Sequence, residues 1–291
     1  MKSFKYIIVI NTINRATDLV LRCLRASLSQ KLPPQKIILI DQNTEEIPLP
    51  EDLLTNPIIL RTRTKSKSVS AARNTLVIPE NTDWIFFCDD DGYPCEDYSE
   101  KLEKIISKNH SLEILAGSIV RDDNNQFYTL RHKKGGSLKS FRNTKNLMGS
   151  NFVIKAKVFD ELGRFDENFG AGSPWGSSEE TDFCWKAYFS RKNMEYFPEL
   201  IVYHVPPFNE SLKEGFVKAF KYGVGKGALV SKWLFKKKKL KVSYELFEML
   251  TVPFIQSFRG IFTFRFGLVA SNFAALAGRI YGLIKYLFTT K

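Results

Sequence analysis

The sequence predicts an α/β fold with a mixed, mainly parallel sheet flanked by helices and followed by a helical C-terminal extension. Three observations predict it. Short apolar runs alternate with helical patterns, as in βαβ units, whose strands are parallel. Two of the runs end in aspartate, at the edge of the sheet where ligands of such folds bind. Residues 206–291 are basic and apolar, whereas residues 1–205 are nearly neutral.

The first predicted unit is a strand, a helix and a second strand. "KYIIVI" (5–10) is a short apolar run. Helix 18–30 follows, because its apolar residues recur mostly every three or four positions, and "LPP" ends it. "KIILID" (36–41) is the second buried strand. This spacing predicts a parallel pair.

The same alternation continues through the middle of the chain. "PIILRTRT" (57–64) is a candidate third strand, and 68–79 is predicted as a helix after a basic loop. "DWIFFCD" (83–89) is the next strand, 98–109 is an amphipathic helix and 112–120 is a strand. We therefore expect successive βαβ units.

The remaining elements are less regular. Residues 121–145 are polar and basic, which predicts a loop or a ragged hairpin. Residues 151–163 read as a strand leading into a short helix. Residues 179–191 predict a helix with acidic residues in its first turn, where the helix dipole favours them. Residues 194–205 predict a last pair of strands.

Cysteine content and the N-terminal apolar run both indicate a cytoplasmic protein. The four cysteines, Cys23, Cys88, Cys95 and Cys184, form no CxxC pair and no zinc spacing. Reduced thiols are therefore expected. The first apolar run ends at Asn11, which is too short for the core of a signal peptide.

An acidic cluster stands at the end of the strand 83–89, where "IFFC" is followed by three aspartates, Asp89 to Asp91. A hard divalent cation explains such a cluster best, because Mg²⁺ and Mn²⁺ take carboxylate ligands together with substrate phosphates. Side chains alternate along a strand, so Asp89 and Asp91 are the expected ligand pair. The alternative is an acidic turn whose aspartates cap the following segment.

Several stretches, in order, resemble the glycosyltransferase family 2 enzymes, which have a GT-A (Rossmann-like) fold. They are "VINTINR", "ILIDQN", "SVSAARNTLV", "IFFCDDDGYP" with its DXD motif, "MGSNFVIKAKVFDELGRFDENFG", "GSSEETDFCWKA" and "YFPELIVYH". The resemblance spans roughly residues 5–205. Several motifs in the family's order are more specific than any one of them.

The resemblance implies a site for a nucleoside-diphosphate sugar of the UDP, GDP or TDP type. The nucleotide and donor sugar would be bound by Thr12, Asn14, Arg15, Asp41, Arg73, Asp89, Asp90, Gly149 and Asn151. Mn²⁺ or Mg²⁺ would be held by Asp89, Asp91 and His204. Three of these residues have alternatives: Asp41 could cap its loop, Arg73 could be a solvated helix residue, and His204 could be structural.

The acidic motif departs from the family, whose usual pair is Glu-Asp. Here it is Glu179–Glu180. Glu180 aligns with the catalytic base, and Glu179 is the alternative. Asp182 is expected to stabilise the helix start and to lie on the acceptor side with Trp175. Trp175 belongs to "GAGSPWGSS" (170–178), an expected mobile flap, and would either stack on a sugar or pack onto the body.

One base and no nucleophile imply single displacement with inversion at the anomeric carbon. The cation would act on the departing diphosphate, and the carboxylate would take the proton of the attacking hydroxyl. We expect a hexosyltransferase-type enzyme that builds a lipid-linked or cell-surface glycan, as in polysaccharide, O-antigen or capsule biosynthesis of the cell envelope.

The C-terminal extension, residues 206–291, holds 15 Lys and Arg against 4 Asp and Glu. Lysines interleave with aromatic residues at 216–241, and 252–288 is strongly apolar. Charged residues interrupt that segment, so a simple spanning helix is not expected. Aromatic and lysine-rich helices suit an anionic membrane surface. The alternatives are a soluble helical subdomain or an oligomer interface.

We therefore expect a catalytic domain at 1–205 and a membrane-associating extension at 206–291, peripheral on the inner face of the cell membrane. A homo-oligomer is possible. Two other classes stay open. One is a nucleic-acid-binding protein that uses the basic extension, although no nucleic-acid motif is recognised and no such partner is expected. The other is an inactive glycosyltransferase-like partner subunit.

Overall fold

A computed structural model describes residues 4–134, 136–206 and 211–289. The chain divides into two compact units. The first consists of Met1–Phe165 and Phe183–Pro207, and the second of Asp166–Asp182 and Phe208–Lys291. The second unit thus includes a stretch from within the predicted catalytic domain.

The first unit is built on one mixed sheet, which in the described residues has eight strands in the order β3-β2-β1-β4-β7-β6-β8-β5. The strands are β1 Tyr6–Thr12, β2 Lys36–Asp41, β3 Ile59–Arg63, β4 Trp84–Asp89, β5 Gly92–Pro94, β6 Ile114–Arg121, β7 Phe152–Lys155 and β8 Met194–His204. β3, β2, β1 and β4 are parallel, β8 is parallel to β6, and β7 and β5 run antiparallel to their neighbours. The predicted mixed, mainly parallel sheet is confirmed.

Helices cover both faces of this sheet, so its central strands are apolar along most of their length, up to the polar residues at their carboxyl ends. Ile7 and Val9 of β1 belong to one buried cluster, and Ile8 and Ile10 belong to the other. This division follows from the period of two along a strand. The helices are α1 Thr17–Leu28, α2 Glu51–Leu54, α3 Val69–Asn74, α4 Tyr98–Lys108, α5 Leu130–Lys134, α6 Ala156–Glu161 and α7 Glu179–Phe189.

Two details differ from the sequence prediction. Residues 121–145 begin with a short hairpin, in which Val120 bridges Phe127 in antiparallel fashion, but they also contain α5 and the 3-10 helix Phe141–Asn146, which were not predicted. The predicted strand pair at 194–205 is the single strand β8, whose pairing with β6 is irregular between Gly117 and Ser118. A β-carbon at Gly117 would overlap the carbonyl oxygen of Leu200. The irregularity therefore depends on a residue without a side chain.

The second unit contains three long helices. They are α8 Leu212–Ser231, α9 Ser243–Phe262 and α10 Phe266–Thr289. A capping box starts α8: the Ser211 hydroxyl accepts from the Glu214 N–H, and the Glu214 carboxylate accepts from the Ser211 N–H. A π-helical turn, Lys232–Lys236, extends α8 at its C-terminal end.

Helices α8 and α10 pack through glycines. Gly223 and Gly227 of α8 are four residues apart, as are Gly278 and Gly282 of α10. A β-carbon on any of the four would overlap a main-chain carbonyl oxygen of the other helix. Small residues at this spacing let two helix backbones approach closely.

Helix α9 contains Pro253, which has no N–H to donate to the carbonyl of Met249. Arg279 of α10 supplies the missing donor: its Nη1 lies 2.7 Å from Met249 O. Arg279, one of the two charged residues of α10, thus donates the hydrogen bond that the proline removes from α9.

Helices α9 and α10 also present a large exposed apolar surface. The exposed side chains include Phe254, Ile255, Phe258, Ile261, Phe262, Phe264, Phe266, Phe273, Ile284 and Phe288. Phe262 and Phe264 are 79% and 80% exposed. By length and composition alone, α10 could cross a membrane, because only Arg279 and Lys285 in it are charged. By these two criteria, the charged residues of α10 do not exclude a membrane-spanning helix, contrary to the sequence expectation.

Candidate active site

The candidate site of the first unit lies at the carboxyl ends of the parallel strands. Thr12 ends β1 and is paired in register with Asp41, which ends β2. Asn11 is paired in register with Asp89, which ends β4. Parallel pairing therefore gathers the residues that the sequence placed at separate strand ends.

Three possible metal ligands come together here. One ligand atom from each of Asp89, Asp91 and His204 lies within 4.8 Å of the others. Asp91 reaches this cluster because the chain turns directly from β4 into the short strand β5. His204 reaches it because β5 pairs with the end of β8, with Gly92 opposite His204. The expected pair of aspartates and the histidine at the end of the last strand are thus neighbours.

The orientation of His204 suits a metal ligand. Its Nδ1 lies 2.9 Å from Val205 O, and its Nε2 lies 3.0 Å from Asp91 Oδ1. If Nδ1–H donates to the carbonyl, Nε2 is directed at the carboxylates, as ring nitrogens of metal-bound histidines are. Burial disfavours the imidazolium, but the hydrogen bond and charge of Asp91 outweigh it and raise the pKa of His204 to about 8. A proton on Nε2, shared with Asp91, thus occupies the position that a metal ion would take between the two side chains.

Arg15 neutralises the other side of the acidic cluster. Its Nε lies 3.0 Å from Asp90 Oδ1, and its Nη1 lies 2.9 Å from Asp91 Oδ2. Burial raises the pKa of Asp90 to about 6 despite the charge of Arg15. Burial also acts against the charge of Asp91, but His204 and Arg15 outweigh it and lower the pKa of that carboxyl. Two cationic side chains therefore offset the repulsion among the aspartates.

Arg73 is a buried residue and not a solvated one, which corrects one of the two sequence alternatives. Its side chain is 2% exposed. Its Nη2 lies 3.0 Å from Asp89 Oδ1, and its Nε donates to Asn11 Oδ1 at 3.0 Å. Within the described part of the chain Nη1 has no hydrogen-bond partner. A buried guanidinium with a spare donor beside Asp89 is suited to an anionic ligand.

Two predicted ligand residues, Asp41 and Asn151, form hydrogen bonds with other residues of the protein. Asp41 is fully buried and accepts from Asn43 N–H at 3.0 Å and Ile47 N–H at 3.1 Å, so its described contacts are those of a loop cap. Asn151 is also fully buried, and its Nδ2 donates to the Ser118 and Leu200 carbonyls at 2.7 and 2.9 Å. These contacts hold β6 and β8 together at their irregularity.

The other predicted donor residues surround these strand ends. Asn14 is exposed, has a left-handed φ of 51° and donates its N–H to Asn43 Oδ1. Gly149 lies in the buried turn before β7. Asn11 was missed as a site residue. Asn11 directly follows the apolar run of β1, and a polar residue at the end of such a run is the sequence signal that could have identified it.

Helix α7 is divided between the units: its first four residues, which carry the acidic motif, belong to the second unit, and the rest belongs to the first. Glu179 is 8% exposed, whereas Glu180 is half-buried and thus the more accessible carboxylate. Ser178, directly before the pair, has a left-handed φ of 75°, an unusual conformation for serine. The motif therefore starts on a strained turn.

The expected flap, 170–178, is a hydrogen-bonded loop. The Trp175 N–H donates to Asn168 O at 3.0 Å, and the Gly170 N–H donates to Ser177 O at 3.2 Å. Trp175 is buried, and its ring centroid lies 5.2 Å from that of Tyr286 in α10. Of the two sequence alternatives for Trp175, packing onto the protein describes these contacts, while stacking on a sugar stays a prediction.

The donor set of the first unit fits a hard divalent cation. Two carboxylates and one imidazole are ligand types that such ions accept, and they leave positions for phosphate oxygens. Asp89, Asp91 and His204 would hold the ion. Arg15 and Arg73 lie directly beside them, as a charged diphosphate requires.

Comparisons with known proteins agree with this geometry. The domain of Glycosyl transferase family 2 matches residues 7–163, more than half of the chain. The fold is similar to that of a mannosyltransferase from Pyrobaculum calidifontis, solved in complex with GDP-Man and Mn2+. That match has a TM-score of 0.64 at 13% sequence identity and covers 99% of this chain and 88% of that one. No curated protein sequence matches the chain.

The protein is thus a glycosyltransferase with a GT-A-like fold. More particularly, the chain belongs to glycosyl transferase family 2.

Proposed function

We propose that the protein is a metal-dependent, inverting glycosyltransferase that moves a sugar from a nucleoside diphosphate to a hydroxyl of a lipid-linked or cell-surface glycan. One observation carries the proposal: Asp89, Asp91 and His204 converge at the strand ends, and two arginines contact the same aspartates. The Mn2+ and GDP-Man bound by the structural relative support it.

The donor side needs positive charge where the diphosphate lies. A divalent cation bound by Asp89, Asp91 and His204 would stabilise negative charge on the departing diphosphate. Arg15 is half-exposed, so it can exchange its contacts with Asp90 and Asp91 for phosphate oxygens. Arg73 is buried and fixed, so it would orient the donor rather than move. Asp41 is fully buried and bonded within its own loop, so it would meet the base of the nucleotide, as the resemblance implies, only if that loop exchanges those bonds.

The acceptor side needs a base that can be reached. Glu180 is more accessible than Glu179, which supports Glu180 as the residue that takes the proton of the attacking hydroxyl. General bases of this kind contribute roughly 10²–10⁴-fold in rate. With one base and no nucleophile, the acceptor displaces the nucleotide directly, and the anomeric configuration inverts.

The location is proposed from the surface of the second unit. The exposed aromatic and aliphatic residues of α9 and α10 would enter the interfacial layer of a membrane. Lys236 to Lys239 would contact anionic headgroups. The enzyme would therefore meet a lipid-linked acceptor on the cytoplasmic face of the membrane, whether it lies on that face or crosses it through α10.

Thermal-shift measurements with UDP, GDP, TDP and CMP, each with and without Mn²⁺, test the donor site. We expect one nucleoside diphosphate to stabilise the protein strongly with Mn²⁺ and weakly without it. Donors carrying that nucleotide are then assayed for release of the nucleotide, with GDP-mannose first. If none of the nucleotides stabilises the protein in either condition, the proposal is wrong.

The Glu180→Gln variant tests the base. It removes the proton acceptor and keeps the size of the side chain, so donor binding should be unchanged and transfer should be lost. Glu179→Gln is the matched control and should lose less. The reverse order of effects would make Glu179 the base. Activity in neither the wild type nor any variant, with nucleotide binding intact, would favour an inactive partner subunit.

A further inference from the structure

A buried ion-pair network joins α7 to the π-helical turn after α8, within the second unit. Lys232 Nζ lies 2.6 Å from Asp182 Oδ1 and 2.7 Å from Asp166 Oδ2. The indole N–H of Trp233 donates to the same Asp182 oxygen at 2.7 Å. Asp182 is fully buried, and Lys232 and Trp233 are nearly so. Two donors of the C-terminal extension thus converge on one carboxylate oxygen of the acidic motif.

Burying this network costs desolvation free energy, so its stability alone does not explain why the chain contains it. Removing a lysine and two carboxylates from water carries a large desolvation penalty, and a buried ion pair is weak evidence for stability alone. Burial acts against the charge of Lys232, yet the two aspartates outweigh it and raise the pKa of that ammonium. The network links the first turn of α7 to Lys232 and Trp233, and buried ion pairs of this kind specify one arrangement of the chain in some proteins.

The segment directly before the acidic pair is held by the same extension. The Ser177 hydroxyl donates to the carbonyl of Tyr222 in α8 at 3.2 Å. Gly225 of α8 approaches so closely that a β-carbon there would overlap Ser177 Oγ and come within 2.6 Å of Trp175 O. Contacts therefore reach the chain on both sides of Glu179 and Glu180, at Ser177 before them and at Asp182 after them.

We propose that Lys232 and Trp233 are positioning residues for glycosyl transfer, acting through Asp182 to hold the general base of α7 in its reactive orientation. This inference rests on the proposed function and on the role of Glu180 or Glu179 in it. The C-terminal extension then has a part in the reaction itself, in addition to any attachment to a membrane. Asp182, which is fully buried and bonded to both, would act here as their structural partner.

Two substitutions test the positioning role with little change in volume. Trp233→Phe removes the indole N–H and keeps an aromatic ring. Lys232→Met keeps the length of the side chain and removes its charge, and Lys232→Arg restores the charge. Lys213→Gln is the control, because Lys213 is an exposed lysine in the first turn of α8, to which no role is assigned. The assay measures release of GDP from GDP-mannose with Mn²⁺, or from the donor that the nucleotide screen selects, together with Kd for the nucleotide and Tm.

We expect kcat to fall by ~10²-fold in Lys232→Met, the cost of a misplaced catalytic group, and by a smaller factor in Trp233→Phe. Donor KM and nucleotide Kd should stay within about twofold of wild type, because the mutated residues act through α7 and not on the donor. Lys232→Arg should recover most of the lost kcat, and Lys213→Gln should behave as wild type.

The possible outcomes separate the two proposals. If wild type turns over and kcat is unchanged in both Lys232→Met and Trp233→Phe, the positioning role is wrong while the proposed function stands. If Tm falls but kcat per folded molecule does not, the network is structural only, which also overturns the inference. If wild type binds no nucleotide and releases none, the proposed function is wrong and the positioning role is wrong with it.

Discussion

At the scale of single residues, the tolerance of three successive aspartates has a specific explanation. Asp90 and Asp91 share Arg15, Asp89 is paired with Arg73, and Asp91 is also paired with His204. The protein therefore carries its own counter-charges at the place where a cation would bind. A bound cation would replace some of these positive charges. Metal binding should therefore stabilise this protein less than it would stabilise a site of three unpaired carboxylates.

Asp91→Asn tests the metal site. The substitution keeps the size of the side chain and removes a ligand charge, so stabilisation by Mn²⁺ together with the nucleotide should be lost. A thermal-shift titration of Mn²⁺ at a fixed nucleotide concentration measures this. Asp52→Asn is the matched control, because Asp52 is an exposed partner of Arg25, and its titration should equal that of wild type.

The metal hypothesis fails if EDTA leaves the turnover of wild type unchanged, or if Asp91→Asn and wild type respond alike to Mn²⁺.

Residue types and strand ends were enough to predict which side chains gather, but not how each is used. Asp89 and Asp91 do lie together, but the reason is the turn between β4 and β5 and not the alternation of side chains along a strand, because β4 ends at Asp89. The partners of Asn151 could not be predicted, because they are main-chain carbonyls of β6 and β8, distant in sequence. Similarly, nothing in the run of lysines distinguishes the buried Lys232 from its exposed neighbours.

At the scale of elements, Gly282→Ala tests the packing of α8 against α10. A β-carbon there would overlap the carbonyl of Val224, and overpacking of this kind costs about 1–3 kcal/mol. Gly267→Ala in the same helix is the control, since its β-carbon would meet only the end of the Leu212 side chain. That variant should gain up to about 1 kcal/mol from helix propensity. Chemical denaturation measures both, and equal effects would contradict the packing.

A double-mutant cycle tests the bond between Arg279 and Met249 O. Arg279→Met leaves that carbonyl without a donor, at a cost of about 1–3 kcal/mol. Pro253→Ala restores the helical N–H that Met249 lacks, so Arg279→Met should cost less in the Pro253→Ala background. The difference between the two costs is the coupling energy, measured by denaturant unfolding. Additive effects would mean that the arginine does not compensate for the proline.

Periodicity predicted the helices and central strands of the body, because one or both faces of each are apolar. It failed where an element is short or irregular. β5 has three residues, Gly92–Pro94, too few for any period, and it exists only because β8 lies beside it. The long helices of the extension are apolar on several sides, so their pattern did not show that α8 and α10 pack through glycines.

At the scale of the whole molecule, attachment to a membrane should have two separable components. Replacing Lys236 to Lys239 with glutamine should weaken flotation with vesicles of phosphatidylglycerol and phosphatidylcholine at low salt, since salt at 1 M screens charges beyond about 3 Å. Replacing Phe262, Phe264 and Phe266 with serine should weaken it at every salt concentration. All three phenylalanines are exposed, so the substitutions should leave Tm nearly unchanged.

Vesicles of phosphatidylcholine alone are the control for the lysines. Extraction at alkaline pH separates a peripheral protein, which is released, from one that spans the bilayer through α10. If wild type does not float with anionic vesicles, the apolar surface is an interface between protein subunits and the membrane placement is wrong.

The pairing of Asp182 with Lys232 also bears on the order of events during synthesis. The two residues are 50 positions apart. At roughly 5–20 residues per second on the ribosome, the carboxylate emerges several seconds before its lysine. The sheet can form in that interval, since it needs nothing beyond β8. The acidic motif therefore acquires its partners late, when the sheet of the first unit can already have folded.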